Sequence, residues 1–384
     1  MKKNFSVIGA GFSGAVLARQ LADAGHHIHL FESRAHLGGN CYTERDKNAG
    51  VMVHRYGPHI FHTENQRVWE FVNRYVRFRH YTHSVKTTLN GGVFQLPINL
   101  HTINQFYQKA MSPSEARNFI QTRTTRFDHT PGNFEEQALA VVGRELYEAF
   151  LKGYTRKHWG IDPKTIPAAV LNRLPVRFNY DNSYYNHPYQ GIPEEGYTPV
   201  FEKLLHHNAI TLHLNTTFSR EWQNQFDHCF FTGPLDDWFA NAFGRLAYRT
   251  LHFEEEVHTG DYQGCPQMNF ADETLPFTRI TEHKHFAYWE QHEKTVIFRE
   301  FSRSCEPGDI PYYPIRLTAG KEQLKQYVEL AQREQGVSFL GRLGTYRYLD
   351  MDMCIKEAIN ASEMVIEAID NSRDIPVFFQ NPLL

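Results

Sequence analysis

Arginine and tyrosine recur in the second half of this chain in a set suited to gripping phosphate: Arg279, Tyr312, Tyr313, Arg342, Tyr348 and Asp350. A guanidinium presents a planar fork of donors that matches phosphate oxygens, and phenols add neutral donors to the same group. Taken singly, each reads as a surface arginine or a core tyrosine. A second constellation, Lys152-Gly153-Tyr154-Thr155-Arg156-Lys157-His158-Trp159-Gly160, sets rings and cations just past a helical pattern. That mixture suits stacking a base and holding a sugar, and helix-end packing explains it equally well. Protein-borne catalysts are scarce: there is no Ser-His-Asp order, no nucleophile elbow and no carboxylate pair in an acid/base pattern. The hard step therefore falls to a cofactor.

Phe5-Ser6-Val7-Ile8 is a short apolar strand that runs into Gly9-Ala10-Gly11-Phe12-Ser13-Gly14 and then a helical pattern. Gly9 permits the tight turn, Gly11 lets backbone approach a pyrophosphate, and Gly14 allows close helix-strand packing. Leu17, Ala18 and Leu21 supply a helical face, Ile28–Phe31 a second strand, and Glu32 ends it as an acceptor for a ribose hydroxyl. Gly38-Gly39, shortly afterwards, offers further backbone N–H groups at close approach, as a second phosphate contact needs. A dinucleotide site is the reading.

The elements that position these residues fill 384 positions, enough for two or three cores. A net charge of −3 gives no reason to expect nucleic acid or an anionic membrane as partner, and the apolar runs are too short to span a bilayer. The chain reads as soluble and cytoplasmic, with its start belonging to the fold. The 5 cysteines are scattered without Cys-x-x-Cys and read as reduced thiols. Among the histidines, His59-x-x-His62, His206-His207 and His283-x-His285 lack a third ligand at familiar spacing, so no metal is expected.

Patterning predicts a helix over 64–78, a hairpin Ser84–Leu89/Val93–Leu96 turning at Asn90-Gly91, and a capping box at Ser112–Glu115. A helix opening at Asn133 should run through Phe150, and 176–195 reads as irregular. The helix near Tyr197 and the strands Ile210–Leu214 and Phe230–Phe231 return to the first domain. Strands Thr278–Phe286 and Thr295–Ser302 suggest an antiparallel sheet. Helix 319–333, strand Ser338–Leu343 and a helix from Asp350 to Ile369 follow, so the middle is inserted into a nucleotide-binding domain.

With those residues in view, the chain resembles bacterial UDP-galactopyranose mutases over essentially its whole length. The resemblance is carried by Gly9-x-Gly11-x-x-Gly14, His36-Leu37-Gly38-Gly39-Asn40, Tyr56-Gly57-Pro58-His59-Ile60-Phe61-His62-Thr63, Lys152–Thr155 with Trp159-Gly160, Arg173-Leu174-Pro175, Tyr189–Pro193, Thr278-Arg279-Ile280, Pro311-Tyr312-Tyr313-Pro314 and Gly341-Arg342-Leu343. It implies an α/β fold with α+β insertions: an FAD-binding Rossmann-like domain (1–83, 196–244 and 317–384), a helical domain (97–175) and an antiparallel sheet domain (84–96, 176–195 and 245–316). It also implies an isomerase, cytoplasmic and homodimeric, in which FAD reduced by NAD(P)H or dithionite interconverts UDP-galactopyranose and UDP-galactofuranose. In that family N5 attacks the anomeric carbon, a flavin-sugar iminium forms, and there is no net redox change.

Residue by residue, the resemblance implies that Arg173, on a mobile loop, and Arg279 clamp the diphosphate. Tyr184, Tyr313 and Tyr348 bind phosphate; Tyr154 stacks on uracil beside Phe150 and Thr155; Trp159, Asn269 and Glu300 lie near the sugar. His62 stands close to the flavin and joins the two arginines as a catalytic group. Cofactor contacts fall to Gly9, Gly11, Phe12, Ser13, Gly14, Glu32, Ser33, Gly38, Gly39, Asn40, His59, Arg342, Tyr348, Asp350 and Met351. The last helix would aim its positive end at the flavin. Thr82-His83-Ser84 and Leu151 depart from the family pattern, leaving UDP-N-acetylgalactosamine as an alternative substrate. An amine-oxidase-like FAD oxidoreductase shares the N-terminal features but has no use for the arginine-tyrosine set, and a non-catalytic nucleotide-binding module would tolerate its loss.

Overall fold

A computed structural model describes residues 2–173, 175–316 and 320–384, with only the backbone of Asn172 and Arg173. The strand Asn4–Ile8 is the centre of a five-stranded parallel sheet, between His27–Phe31 and His228–Phe231, with Ile210–His213 and Val337–Phe339 at the edges. Phe5, Val7, Ile28, Leu30 and Phe230 are buried there, as expected of a sheet covered on both faces. The helix Phe12–Asp23 packs against Thr198–Leu205 and the long helix Met351–Asp370, so both ends of the chain share one core.

A seven-stranded sheet forms the second body. Its order is Tyr313–Pro314, Tyr248–Thr259, Lys294–Ser304, Arg279–Glu282, Gln267–Phe270, Val85–Leu89, Gly92–Leu96. The expected antiparallel arrangement holds at every pairing but one: Gln267–Phe270 runs parallel to Val85–Leu89, where the hairpin joins the sheet. That hairpin turns with φ 49° at Asn90 and 76° at Gly91, the conformation an Asn-Gly turn favours.

The segment expected at 176–195 behaves differently. Its strand Tyr189–Pro193 is the middle of a three-stranded antiparallel sheet between Phe61–Thr63 and Phe78–His80, and does not enter the large sheet. Ile192 is buried there with Met52, Ile60, Tyr81 and Phe286.

The helical region keeps its predicted caps: Ser112 and Glu115 exchange both capping-box bonds, and the Asn133 side chain accepts from Glu136 N–H. The single helix expected from 134 to 150 is broken. Phe134–Val141 stops before Gly143, whose φ is +77° and whose Cβ would lie 2.7 Å from the Arg123 carbonyl oxygen. Beyond it, Gly143–Leu146 leads into a widened π turn, Tyr147–Lys152, and the helix Gly153–Trp159. Other elements are shorter than patterned: the helix at 64–78 is Gln66–Asn73, the Thr278–Phe286 strand ends at Glu282, and Ser338–Leu343 gives way to a helical turn at Gly341. No described helix is long and apolar enough to cross a membrane.

Candidate active site

The glycine turn opens onto a cavity of about 550 Å³, a size usual for cofactor sites. Gly9, Gly11, Phe12, Ser13, Glu32, Ser33, Gly38, Gly39, Asn40, His59, Arg342 and Met351 all line it. Gly14 acts behind the wall: a Cβ there would stand 2.0 Å from the Gly9 carbonyl oxygen. At Gly11 a Cβ would meet nothing within 4 Å, so the missing methyl leaves open space. Gly38 (φ +94°) spends its N–H on the Ala10 carbonyl at 2.9 Å, so it braces the turn and does not offer the expected phosphate donor, while Gly39 (φ +56°) lies against Gly11. The Glu32 carboxylate accepts from Ala10 N–H at 2.9 Å and from Arg34 N–H at 3.0 Å, locking the turn while keeping lone pairs for a ligand.

Two buried polar atoms on this wall, Arg34 Nη1 and Asn40 Oδ1, have no hydrogen-bond partner among the described residues. Orphaned groups of that kind call for a polar ligand. The glycine cradle, the ribose acid and these atoms together fit a dinucleotide. Arg34 escaped the sequence reading because its role is long-range: its guanidinium sits over the Tyr56 ring at 4.8 Å.

A second cluster lies against the cavity. Arg342 donates to the carbonyls of Leu349 and Tyr312, stapling the segments that carry Tyr348 and Tyr313, and its guanidinium faces both rings. Tyr313 stacks on Tyr348 with centroids 5.5 Å apart, and Trp159 lies 6.2 Å from Tyr348. Sheet register puts Arg279 between Asn269 and Glu300. Glu300 Oε2 accepts from Arg279 Nε at 2.7 Å and contacts Nη2 at 2.6 Å, while Oε1 accepts from the Thr278 hydroxyl at 3.0 Å. Burial alone would lower the Arg279 pKa; the Glu300 charge beside it overrides this and holds it well above the usual range. The Tyr154 phenol, raised by burial, feels Arg279, Glu300, Tyr184 and Tyr313, which places all five in one neighbourhood.

A smaller apolar pocket beside them is shared by Phe150, Leu151, Tyr154, Tyr184 and Asn269. The Phe150 ring is committed mainly to core packing on Phe94 and Phe106, at 5.1 and 5.4 Å. Thr155 is buried on the same helix. The Arg173 side chain lies outside the described residues.

Histidines line much of this region, and His158 is one to which sequence reasoning gave no role of its own. His158 is one helical turn past Tyr154 and parallel to it at 5.9 Å, with the Tyr313 ring tilted against it at 5.5 Å. Burial lowers it to about 3, so it stays neutral, and its Nδ1 is a buried atom with no partner among the described residues. The spacing of four from Tyr154 was the available signal. His83 is likewise lowered to about 3 by burial, and packs against Tyr184 and Tyr185. Burial takes His59 down to about 4; its Nδ1–H meets the Gly57 carbonyl at 2.9 Å, and the fields of Arg342 and Arg279 reach it from either site. His62 stacks on Tyr185, with centroids 3.7 Å apart, and contacts His187. Asp350 takes the N-cap position of the last helix, whose first turn brings Met351 and Cys354 to the cavity wall. Elsewhere, ligand atoms of Asp261, Glu282 and His285 lie within 4.8 Å of one another, but Glu282 accepts from the N–H groups of Tyr262 and Gln263, and Lys284 pairs with Asp261.

Fold and site define a dinucleotide-binding α/β protein with an adjoining cluster of arginine, tyrosine and histidine side chains. Models of known families agree: one for NAD(P)-binding Rossmann-like domains matches residues 7–75, and one for UDP-galactopyranose mutase matches residues 149–348. A probable UDP-galactopyranose mutase of Klebsiella pneumoniae is 50% identical over 376 residues, spanning 98% of each chain. The dTDP-fucopyranose mutase of Escherichia coli is also 50% identical, over 368 residues covering 94% of this chain and 98% of its own. A solved structure of reduced UDP-galactopyranose mutase shares the fold with a TM-score of 0.75 at 17% identity, covering 95% of this chain and 96% of that one. The chain belongs to the UDP-galactopyranose mutase family and is an isomerase.

Proposed function

We propose that this enzyme interconverts UDP-galactopyranose and UDP-galactofuranose, with FAD held in its reduced form in the glycine-turn cavity. The observation that carries this reading is the junction at Arg342, which joins the dinucleotide cavity to the Arg279-tyrosine cluster. Reduced FAD supplies a nucleophilic nitrogen, N5, for the anomeric carbon, so that ring size changes with no net redox change. The chain's own residues then have distinct tasks. Glu32, Gly39, Arg34 and Asn40 hold the cofactor, and the positive end of the last helix favours its anionic reduced form. Arg279, aimed by Glu300, takes up charge on the departing diphosphate, with Arg173 as the second clamp. Tyr184, Tyr313 and Tyr348 donate to the same group, Tyr154 stacks on the base, and Trp159 and Asn269 border the sugar. The enzyme is proposed to act as a homodimer, which sedimentation reads directly.

The equal identity to a dTDP-fucopyranose mutase favours a second reading, in which the carrier is a thymidine diphosphate and the sugar a 6-deoxyhexose. The purified protein is incubated with UDP-galactofuranose, with and without dithionite, and products are separated by chromatography; parallel arms receive dTDP-fucopyranose and UDP-N-acetylgalactosamine. UDP-galactopyranose formed only in the reduced arm supports the proposal. Full turnover with oxidised FAD, or an oxidised sugar accumulating, overturns it, and strong preference for a parallel substrate reassigns the sugar.

A further inference from the structure

His62 stands on the strand Phe61–Thr63 opposite Gln190 of Tyr189–Pro193. Gln190 is buried, and its amide donates to the carbonyls of His187 at 2.8 Å and Tyr185 at 3.4 Å, tying the turn that carries both residues to the sheet. His62 consequently lies flat on Tyr185 with its Nδ1 2.8 Å from Nδ1 of His187. At that distance the two nitrogens share one proton, because facing N–H groups or facing lone pairs would repel. The tautomers are therefore complementary. With the proton on His187 Nδ1, His62 carries its other proton on Nε2; with it on His62 Nδ1, the His62 Nε2 is bare and His187 is protonated at Nε2.

Charged and titratable neighbours face this pair from each packed element. The last helix contributes Asp350 and Asp352 at its start; burial raises the pKa of Asp352, against the opposing contact of the Thr63 hydroxyl and the weaker field of His187. Tyr185 lies under the His62 ring, and His83 is close enough to be influenced by it. His187 itself is half-buried between the exposed Asn186 and Pro188, so the pair reaches from solvent inward.

We propose that His187 and His62 form a proton relay between solvent and the active site, in which His187 is the positioning residue that sets the His62 tautomer. This rests on the mutase reading, and its inner end is reached through Tyr185, which lies under the His62 ring and feels Tyr184, Asp350, Tyr348 and Arg279 of the arginine-tyrosine cluster. Converting a pyranose to a furanose protonates one sugar oxygen and deprotonates another, so a nearby proton store has a task. A proton leaving His62 Nε2 is replaced as the bridging proton moves from His187 Nδ1 to His62 Nδ1, while His187 gains one at Nε2 from solvent. Both rings end neutral, and the reverse sequence returns the proton.

The test uses holoenzyme labelled with ¹⁵N at histidine, as wild type, His187→Ala and His187→Gln, with bound-flavin absorbance reporting the fold. Wild type should show opposite tautomers on His62 and His187. His187→Ala should release His62 into a tautomer mixture and lower kcat by about 10-fold or more with KM within about twofold. His187→Gln, whose amide donates to His62 Nδ1 but cannot pass a proton on, should restore the tautomer and leave kcat low. Matching tautomers in wild type, an unchanged His62 spectrum in His187→Ala, or full kcat in His187→Gln overturns the relay. Wild type lacking mutase turnover would instead overturn the mutase reading, and the spectra would still decide whether the pair shares a proton.

Discussion

Replacing Glu300 with glutamine separates the aiming of Arg279 from its charge. Glu300 is fully buried, and its carboxylate meets Arg279 at 2.6 and 2.7 Å, so the pair is close to neutral before any ligand arrives. Glutamine keeps the shape and one acceptor but removes the negative charge. Losing one member of a buried ion pair costs about 3–5 kcal/mol, in line with about 4 kcal/mol for unit charges 4 Å apart at an effective dielectric of 20. In the ligand-free variant that cost appears as lost stability. A diphosphate returns a counter-charge, and recovery of half the cost, about 2 kcal/mol, makes UDP bind roughly 10- to 50-fold tighter than to wild type. Turnover should move the other way, falling on the order of 10²-fold as the guanidinium loses its aim. Calorimetric titration with UDP and kcat of the dithionite-reduced enzyme read the two effects separately. General misfolding weakens both. UDP binding no tighter than wild type, or undiminished kcat, refutes the assignment of Glu300 as the rear counter-charge of a ligand-facing Arg279.

Gly14→Ala should cost about 1–3 kcal/mol and abolish flavin retention, because its Cβ would meet the Gly9 carbonyl at 2.0 Å. Gly11→Ala, whose Cβ enters open space, should keep the melting temperature of the apoprotein and lose flavin, measured as the ratio of flavin to protein absorbance. Gly160→Ala combines a φ of +67° with a contact 2.3 Å from Arg249 Nη1, and should cost about 1–3 kcal/mol by thermal melting while displacing Trp159. Burial pushes the Glu282 carboxyl up, but the His285 contact, the N–H groups of Tyr262 and Gln263 and the Thr295 hydroxyl together bring it to about 2. The native state thus holds fewer protons than the unfolded chain below the ordinary carboxyl range. Stability present above pH about 4.5 should fall by about 3 kcal/mol toward pH 2, and Glu282→Gln should remove that limb from the melting-temperature profile.

Features set by neighbouring residues were legible in the sequence. The glycine turn, the Asn90-Gly91 hairpin and the Ser112 capping box each depend on a few consecutive side chains, and the structure contains all three. What depends on distant backbone was not. Gly143 breaks its helix because the chain passes close to the Arg123 carbonyl, and Tyr189–Pro193 joins residues 61–80 because the buried face of Ile192 meets Met52 and Ile60. At the site, Arg279 and Glu300 each looked like substrate neighbours. Only the register of their strands reveals that one buries its charge behind the other. His187 carried no signal at all, since the contact to His62 spans 125 positions and is made by a turn of irregular backbone.

The five-stranded parallel sheet draws its strands from three distant stretches of chain, ending with Val337–Phe339, and the last helix closes against the first. Synthesis therefore separates Phe31 from its edge neighbour His213 by roughly 10 to 40 seconds at ordinary elongation rates. During that interval the nascent glycine turn has His27–Phe31 beside it but neither His228–Phe231 nor the wall supplied by Arg342 and Met351. The full cavity wall exists only once residues 342–351 have been made, and until then the exposed strand edges of the waiting N-terminal unit are what chaperones would have most to protect.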